Sequence, residues 1–194
     1  MPSDIDPQSG FRLPLPRRED LNEAGRVAFD RASVPGATLA GLQGPSGIHL
    51  WSRGHEHITA LNRYLRFDAG LSPRVRETAI LITAREMDSQ FEWCAHEAEA
   101  LKVGVPTATV DAIKHRTSTA GLDETDAVIV DLGRQMFGDR KVTPQTFAKA
   151  KEIFGPQKLV DLLLLMGNYA STAALLCAFD MQLHARQQPL LPIP

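Results

Sequence analysis

The sequence predicts an all-α, single-domain helical bundle with a central antiparallel helical hairpin. Three observations carry that expectation. No segment alternates convincingly with the period of two that a half-buried strand requires. Helix start and stop signals recur, the clearest being Ser72-Pro73 as N-cap and first helical residue, and Gly104 then Pro106 as a stop. The stretch LVDLLLLMGNYASTAALLCAF, 159–179, is apolar nearly all round, and such a helix must be buried by something.

Taken in order, residues 1–17 hold Pro2, Pro7, Pro14 and Pro16 with little periodicity. They read as an extended arm lying on the surface or on a partner subunit. A helix follows over roughly 18–32 and ends at SVPGA. Residues 33–53 are rich in Gly, Pro and Ser and read as a structured loop, a class of segment that often carries function. Another helix covers about 54–69. Ser72-Pro73 then opens the first arm of the hairpin, DSQ breaks it, and SQFEWCAHEAEALKVGV forms the second arm. Further helices are expected near 106–115, 123–137 and 144–154, the last opened by Thr143-Pro144. Gly155-Pro156 leads into the apolar helix. The domain is bounded at 18–186, and the tail from 187 to 194, with QQPLLPIP at its end, is irregular.

Composition narrows the function classes. Apolar residues make up 43% and charged residues 23%, as in an ordinary soluble fold. The net charge of −2, with no long run of one sign, gives nucleic-acid binding no electrostatic footprint. Two cysteines, Cys94 and Cys177, make no disulfide framework. With no basic-then-apolar leader at the start, they point to a reducing cytoplasm. The 159–179 stretch has about the length of a membrane span. Its Asp161, Gly167, Asn168, Ser171 and Thr172 instead favour a core or interface helix. A neighbouring subunit is the expected cover, so a homo-oligomer (trimer, hexamer or dimer) is expected.

The chemistry-bearing cluster is Glu92, Trp93, Cys94 and His96. Metal binding is disfavoured: HEAEA lacks the second histidine of HExxH, and His49, His55 and His57 have no ligand spacing with a mechanism. No metal and no cofactor are expected. Cys94 and His96 diverge by about 200° on a helix, so they are not a nucleophile–base pair through it. Cys94 falls on the apolar stripe with Phe91, Ala98 and Leu101 and remains a possible redox thiol. Glu92 and His96 are i, i+4 and share a face, where a carboxylate holds an imidazole in one tautomer. The competing reading is a capping box, Ser89 with Glu92, on a solvated face that also carries Glu99. Glu77 tilts the balance toward a relay. It sits at the edge of the apolar run AILITA, wants a partner, and projects toward the same end of the hairpin as His96. Arg74 and Arg76 compete for it.

At these residues the chain resembles the carboxymuconolactone decarboxylase family of the alkylhydroperoxidase D-like superfamily. The matching pieces are LSPRVRETAILITAREMDSQFEWCAHEAEALKVGVP, with its EW..H signature, and PQKLVDLLLLMGNYASTAALLCAF; the GPSGIHLWS loop is similar to that of longer members. Setting His96 on the family histidine puts Glu92 and Ser89 where the peroxidase branch has its CxxC, and Glu77 on the upstream glutamate. The resemblance therefore implies an acid–base site without the dithiol. It implies an alkylhydroperoxidase D-like fold and cofactor-free decarboxylation or a related lyase reaction on a small carboxylate or lactone. His96 would be the acid–base residue, and Glu77 and Glu92 its orienters. Trp51, His49, Arg53, Asn168 and Tyr169 are the expected substrate-binding residues, Trp51 and His49 as a lid. Arg53, Arg74 and Arg76 are the nearest cations for a carboxylate. The alternatives are a peroxidase-like protein using Cys94 and a non-catalytic ligand-binding family member.

Overall fold

The computed structural model describes residues 2–185 and 187–193. The domain end expected at 186 and the tail end at 194 lie outside them. Among the described residues there are eight α-helices and no strand. They are α1 (Glu23–Ser33), α2 (Pro45–His49), α3 (His55–Arg63), α4 (Pro73–Glu86), α5 (Gln90–Lys102), α6 (Thr107–Lys114), α7 (Glu124–Gly133) and α8 (Pro144–Ala178). Two of them continue into π-helical turns, α3 through Tyr64–Asp68 and α7 through Arg134–Asp139.

The start signals act as the sequence predicts. The Ser72 side chain accepts from Val75 N–H ahead of α4, and Thr143 accepts from Thr146 N–H ahead of α8. Gly155 then interrupts α8 with φ 69° and ψ 167°, a conformation essentially confined to glycine, directly before Pro156. The apolar part of α8 is thus a helix of its own direction.

α4 is the centre of the bundle and packs against α5, α7 and α8. All ten residues from Arg76 to Arg85 are buried, which accounts for the near absence of a polar face in AILITA. α4 and α5 are joined across Met87–Ser89, where Asp88 takes a left-handed φ of 46° and accepts at Oδ1 from both Arg85 and Arg116. Gly133 of α7 lies against Ile82 so closely that a Cβ would come within 2.5 Å of Ile82 Cγ1. A second apolar cluster gathers Phe11, Ile48, Phe91 and Leu176. Phe11 brings the N-terminal arm into it: Arg12 N–H donates to Phe179 C=O, and Gln182 N–H to Gly10 C=O. The arm packs on its own chain. The tail does likewise, with Leu191 buried in the main core and both Leu190 and Leu191 N–H donating to Gln90 Oε1.

Among the described residues one helix, Pro144–Ala178, is long and apolar enough to cross a membrane, and half of its most apolar window is buried within the chain.

Candidate active site

Three buried side chains from the hairpin converge. Glu77 projects from α4, and Glu92 and His96 project from α5; they are 0%, 3% and 3% exposed. His96 Nδ1 lies 2.7 Å from Glu77 Oε2. The other Glu77 oxygen accepts from Arg76 Nε at 3.0 Å. On the far edge of the ring, His96 Nε2 is 3.6 Å from Glu92 Oε2. One imidazole is therefore flanked by two carboxylates, each on its own nitrogen.

The two carboxylates are pushed in opposite directions. Burial alone would raise Glu77, but hydrogen bonds from His96 and Arg76 outweigh it and hold Glu77 below the usual range. Glu92 has no such donors. Burial raises it, and the nearby charges of His96 and Arg66 only partly oppose the rise. Its Oε1 has no hydrogen-bond partner. The ionised Glu77 fixes the Nδ1–H tautomer and leaves Nε2 to exchange a proton. Glu92 holds its own proton more tightly than an exposed glutamate does. A pair of groups driven apart in this way is the arrangement that divides acid and base roles.

The capping-box reading gives way here. Ser89 makes no side-chain cap bond on α5, and Glu92 turns toward His96 instead. Nor does Glu77 sit at a half-buried edge. Arg74 does not compete for it, because Arg74 binds the fully buried Asp126, which also accepts from Thr109.

Glu92 and His96 form part of the wall of a cavity of about 870 Å³. Tyr169 of α8 lines it too, its ring edge-on to His96 at 5.3 Å and 84°. Burial raises the Tyr169 phenol, which keeps it protonated. His49 lines the cavity from α2, and burial lowers it toward the neutral form. Thr172 lines it as well, with its hydroxyl donating to Asn168 C=O.

Other expected residues fall elsewhere. Trp51 is half exposed and its indole N–H donates to Pro14 C=O, so it pins the arm and is absent from the cavity wall. Arg53 is exposed and does not line the cavity. Asn168 is outside the lining, with its buried Nδ2 unpartnered. Asp161, Asn168 and Thr172 have the i, i+7, i+11 spacing of one stripe on the apolar helix, but the stripe splits, since Asp161 accepts from Tyr64 O–H and, of the three, only Thr172 lines the cavity. Cys94 is also outside the lining. Its thiol faces Gln90 and Gln188 C=O at 3.5 Å each, and burial raises it, which disfavours the thiolate a redox role needs.

Two lining residues carry no sequence signal as binding groups. Arg66 belongs to the π-helical turn after α3, and His55 opens α3. Nothing in NRYLRFD marks Arg66 apart from Arg63, because a π turn adds a residue and shifts the helix phase. The chain matches none of the protein-family models, curated proteins or solved structures with which it was compared.

Proposed function

We propose that this protein is a cofactor-free acid–base enzyme acting on a small-molecule carboxylate or lactone, with decarboxylation or a related lyase step as its reaction. The observation that carries the proposal is the pair of carboxylates on one imidazole at a cavity wall, with Glu77 bound to Nδ1 at 2.7 Å and Glu92 facing Nε2. The resemblance of the hairpin to carboxymuconolactone decarboxylases supports the same reading, with His96, Glu77 and Glu92 at the positions it implies.

In the proposed step the bond from the substrate carbon to its carboxylate breaks and carbon dioxide leaves. The electron pair passes into an adjacent carbonyl as an enolate. Glu92, carrying its proton, hydrogen-bonds to the enolate oxygen and keeps that proton as the carbonyl re-forms. His96, protonated at Nε2 and steadied by Glu77, delivers a proton to carbon. The net change is one carboxylate and one proton converted to carbon dioxide and a C–H bond, and solvent reprotonates His96. No electron acceptor is required.

The test is carbon dioxide release, together with solvent deuterium incorporation, from a panel of β-oxo acids and carboxylated lactones. His96→Ala should lower any turnover found by about 10²–10⁴-fold, with the helical circular dichroism unchanged. An unchanged rate in a folded variant would remove His96 from the reaction. A role for Cys94 has no comparable support, and Cys94→Ser should leave the rate within a few-fold.

A further inference from the structure

The cavity wall holds an arginine, Arg66, whose charge acts on Glu92 but which has no carboxylate within ion-pair distance among the described residues. Its Nε is buried and makes no hydrogen bond, and its guanidinium lies 5.0 Å over the Phe67 ring. The turn beneath it is held, since Arg76 Nη1 donates to Arg66 C=O while its Nε holds Glu77. One arginine therefore ties the Arg66 backbone to the relay glutamate. Two more buried atoms on lining residues also lack partners, Glu92 Oε1 and His55 Nε2. Buried polar groups are ordinarily hydrogen-bonded. Arg66, Glu92 and His55 thus form a polar part of the wall whose hydrogen bonds are incompletely satisfied within the chain.

Part of the lining is apolar, made by Ala32, Leu39, Leu50, Ile58 and Phe91. The cavity's size, about 870 Å³, is near the top of the range of about 300–1,000 Å³ for small-molecule sites. Two further arginines, Arg31 and Arg63, line it from exposed positions where water already solvates them.

We infer that Arg66 is the carboxylate-binding residue of this cavity, and that its ligand is an amphipathic monocarboxylate whose apolar body lies along Ala32, Leu39, Leu50 and Ile58. The inference rests on the cavity being the functional site proposed above, and it narrows the ligand from any small carboxylate to one with a substantial apolar chain. A guanidinium accepts a carboxylate bidentately, which a lysine in its place would not do. With its carboxylate on Arg66, a ligand bridges to the proton-exchanging edge of His96, the side that Glu92 faces.

The experiment is binding of four probes by isothermal titration calorimetry: octanoate, decanoate, decanedioate and 1-decanol. Decanoate should bind best. Octanoate should be weaker by up to about fourfold for each methylene removed. Decanedioate, which places a second charge on the apolar wall, and decanol, which lacks the first, should each bind at least about tenfold more weakly. Arg66→Met should weaken decanoate by about tenfold or more and leave decanol unaffected. Arg66→Lys, which keeps the charge, should fall between and covers the case in which the methionine variant does not fold. Cys94→Ser, outside the cavity lining, should bind decanoate as the parent does, and because binding is read without turnover a failed lyase assay leaves this result standing. Decanoate binding that ignores both Arg66 variants would overturn the assignment. Decanedioate binding as tightly as decanoate would overturn the apolar-body part of it.

Discussion

Glu77 and Glu92 meet the same imidazole from opposite edges, yet their titrations have opposite consequences for stability. Glu77 has a depressed folded pKa, so its contribution is present above the unfolded value and is lost as pH falls through the folded one. Glu92 has a raised folded pKa, so its contribution is fully present below the unfolded value and is lost as pH rises through the folded one. Glu77→Gln should therefore cost about 3 kcal/mol or more at pH 7, because Arg76 and His96 lose a buried anionic partner. That loss should shrink in thermal melts below pH 4.5. Glu92→Gln should do the reverse: it should raise the melting temperature at pH 8, with about 2–4 °C for each kcal/mol gained, while removing the proton that the proposed reaction uses. A Glu92→Gln variant that is less stable than the parent at pH 8 would mean that Glu92 is held ionised. Much of this pair is legible in the sequence, since Glu92 and His96 are one helical turn apart and Glu77 lies in a run too apolar to leave a glutamate unpartnered. Arg66 is not legible, because its place depends on a π turn that leaves no pattern in residue type.

At the scale of elements, α4 and the opening of α8 follow their local signals, with Ser72 and Thr143 acting as caps. Elsewhere tertiary contacts override local pattern. Ser89 has the residue type and spacing of a capping box with Glu92, but the Glu92 carboxyl is buried against His96 and leaves the helix start to other partners. The polar residues of α8 have the spacing of one face toward the pocket. A helix this buried meets several neighbours, and Tyr64 takes Asp161 while the cavity takes Thr172. The break at Gly155 gives a direct check. Its φ of 69° and ψ of 167° are unfavourable for any residue with a Cβ, although no atom stands within 4 Å of the place a Cβ would occupy. Gly155→Ala should therefore cost on the order of 1–3 kcal/mol in urea melts from backbone strain alone. A neutral result would mean that the two halves of α8 straighten into one helix. Gly133→Ala should be costly for the other reason, its clash with Ile82.

For the whole molecule, the all-helical bundle follows from the sequence because the helices carry recognisable start and stop residues and apolar faces. The ends do not follow: the arm and the tail are without periodicity, and their places come from single anchors, Phe11 in an apolar cluster and Gln90 bonded to Leu190 and Leu191. Both segments pack on their own chain. The case for assembly moves to α8. Val160 and Leu164 stand one turn apart and are 56% and 49% exposed, and Gly167 and Ser171 continue their row. Tyr64, bonded to Asp161, and Phe67 are exposed on the π turn, and Leu61 is exposed on α3 before it. An exposed apolar row such as Val160 and Leu164 is a candidate interaction surface. A homo-oligomer closing over it would cover Phe67, which also lines the cavity, so assembly and ligand binding would be linked. Light scattering at micromolar concentration should therefore give a mass that is a multiple of the 21.3 kDa chain. Val160→Lys with Leu164→Lys should return it to the monomer without loss of helix, since both side chains already face outward. A parent protein that is monomeric in this measurement would leave the row on α8 as ordinary exposed surface and would separate the cavity from any subunit contact.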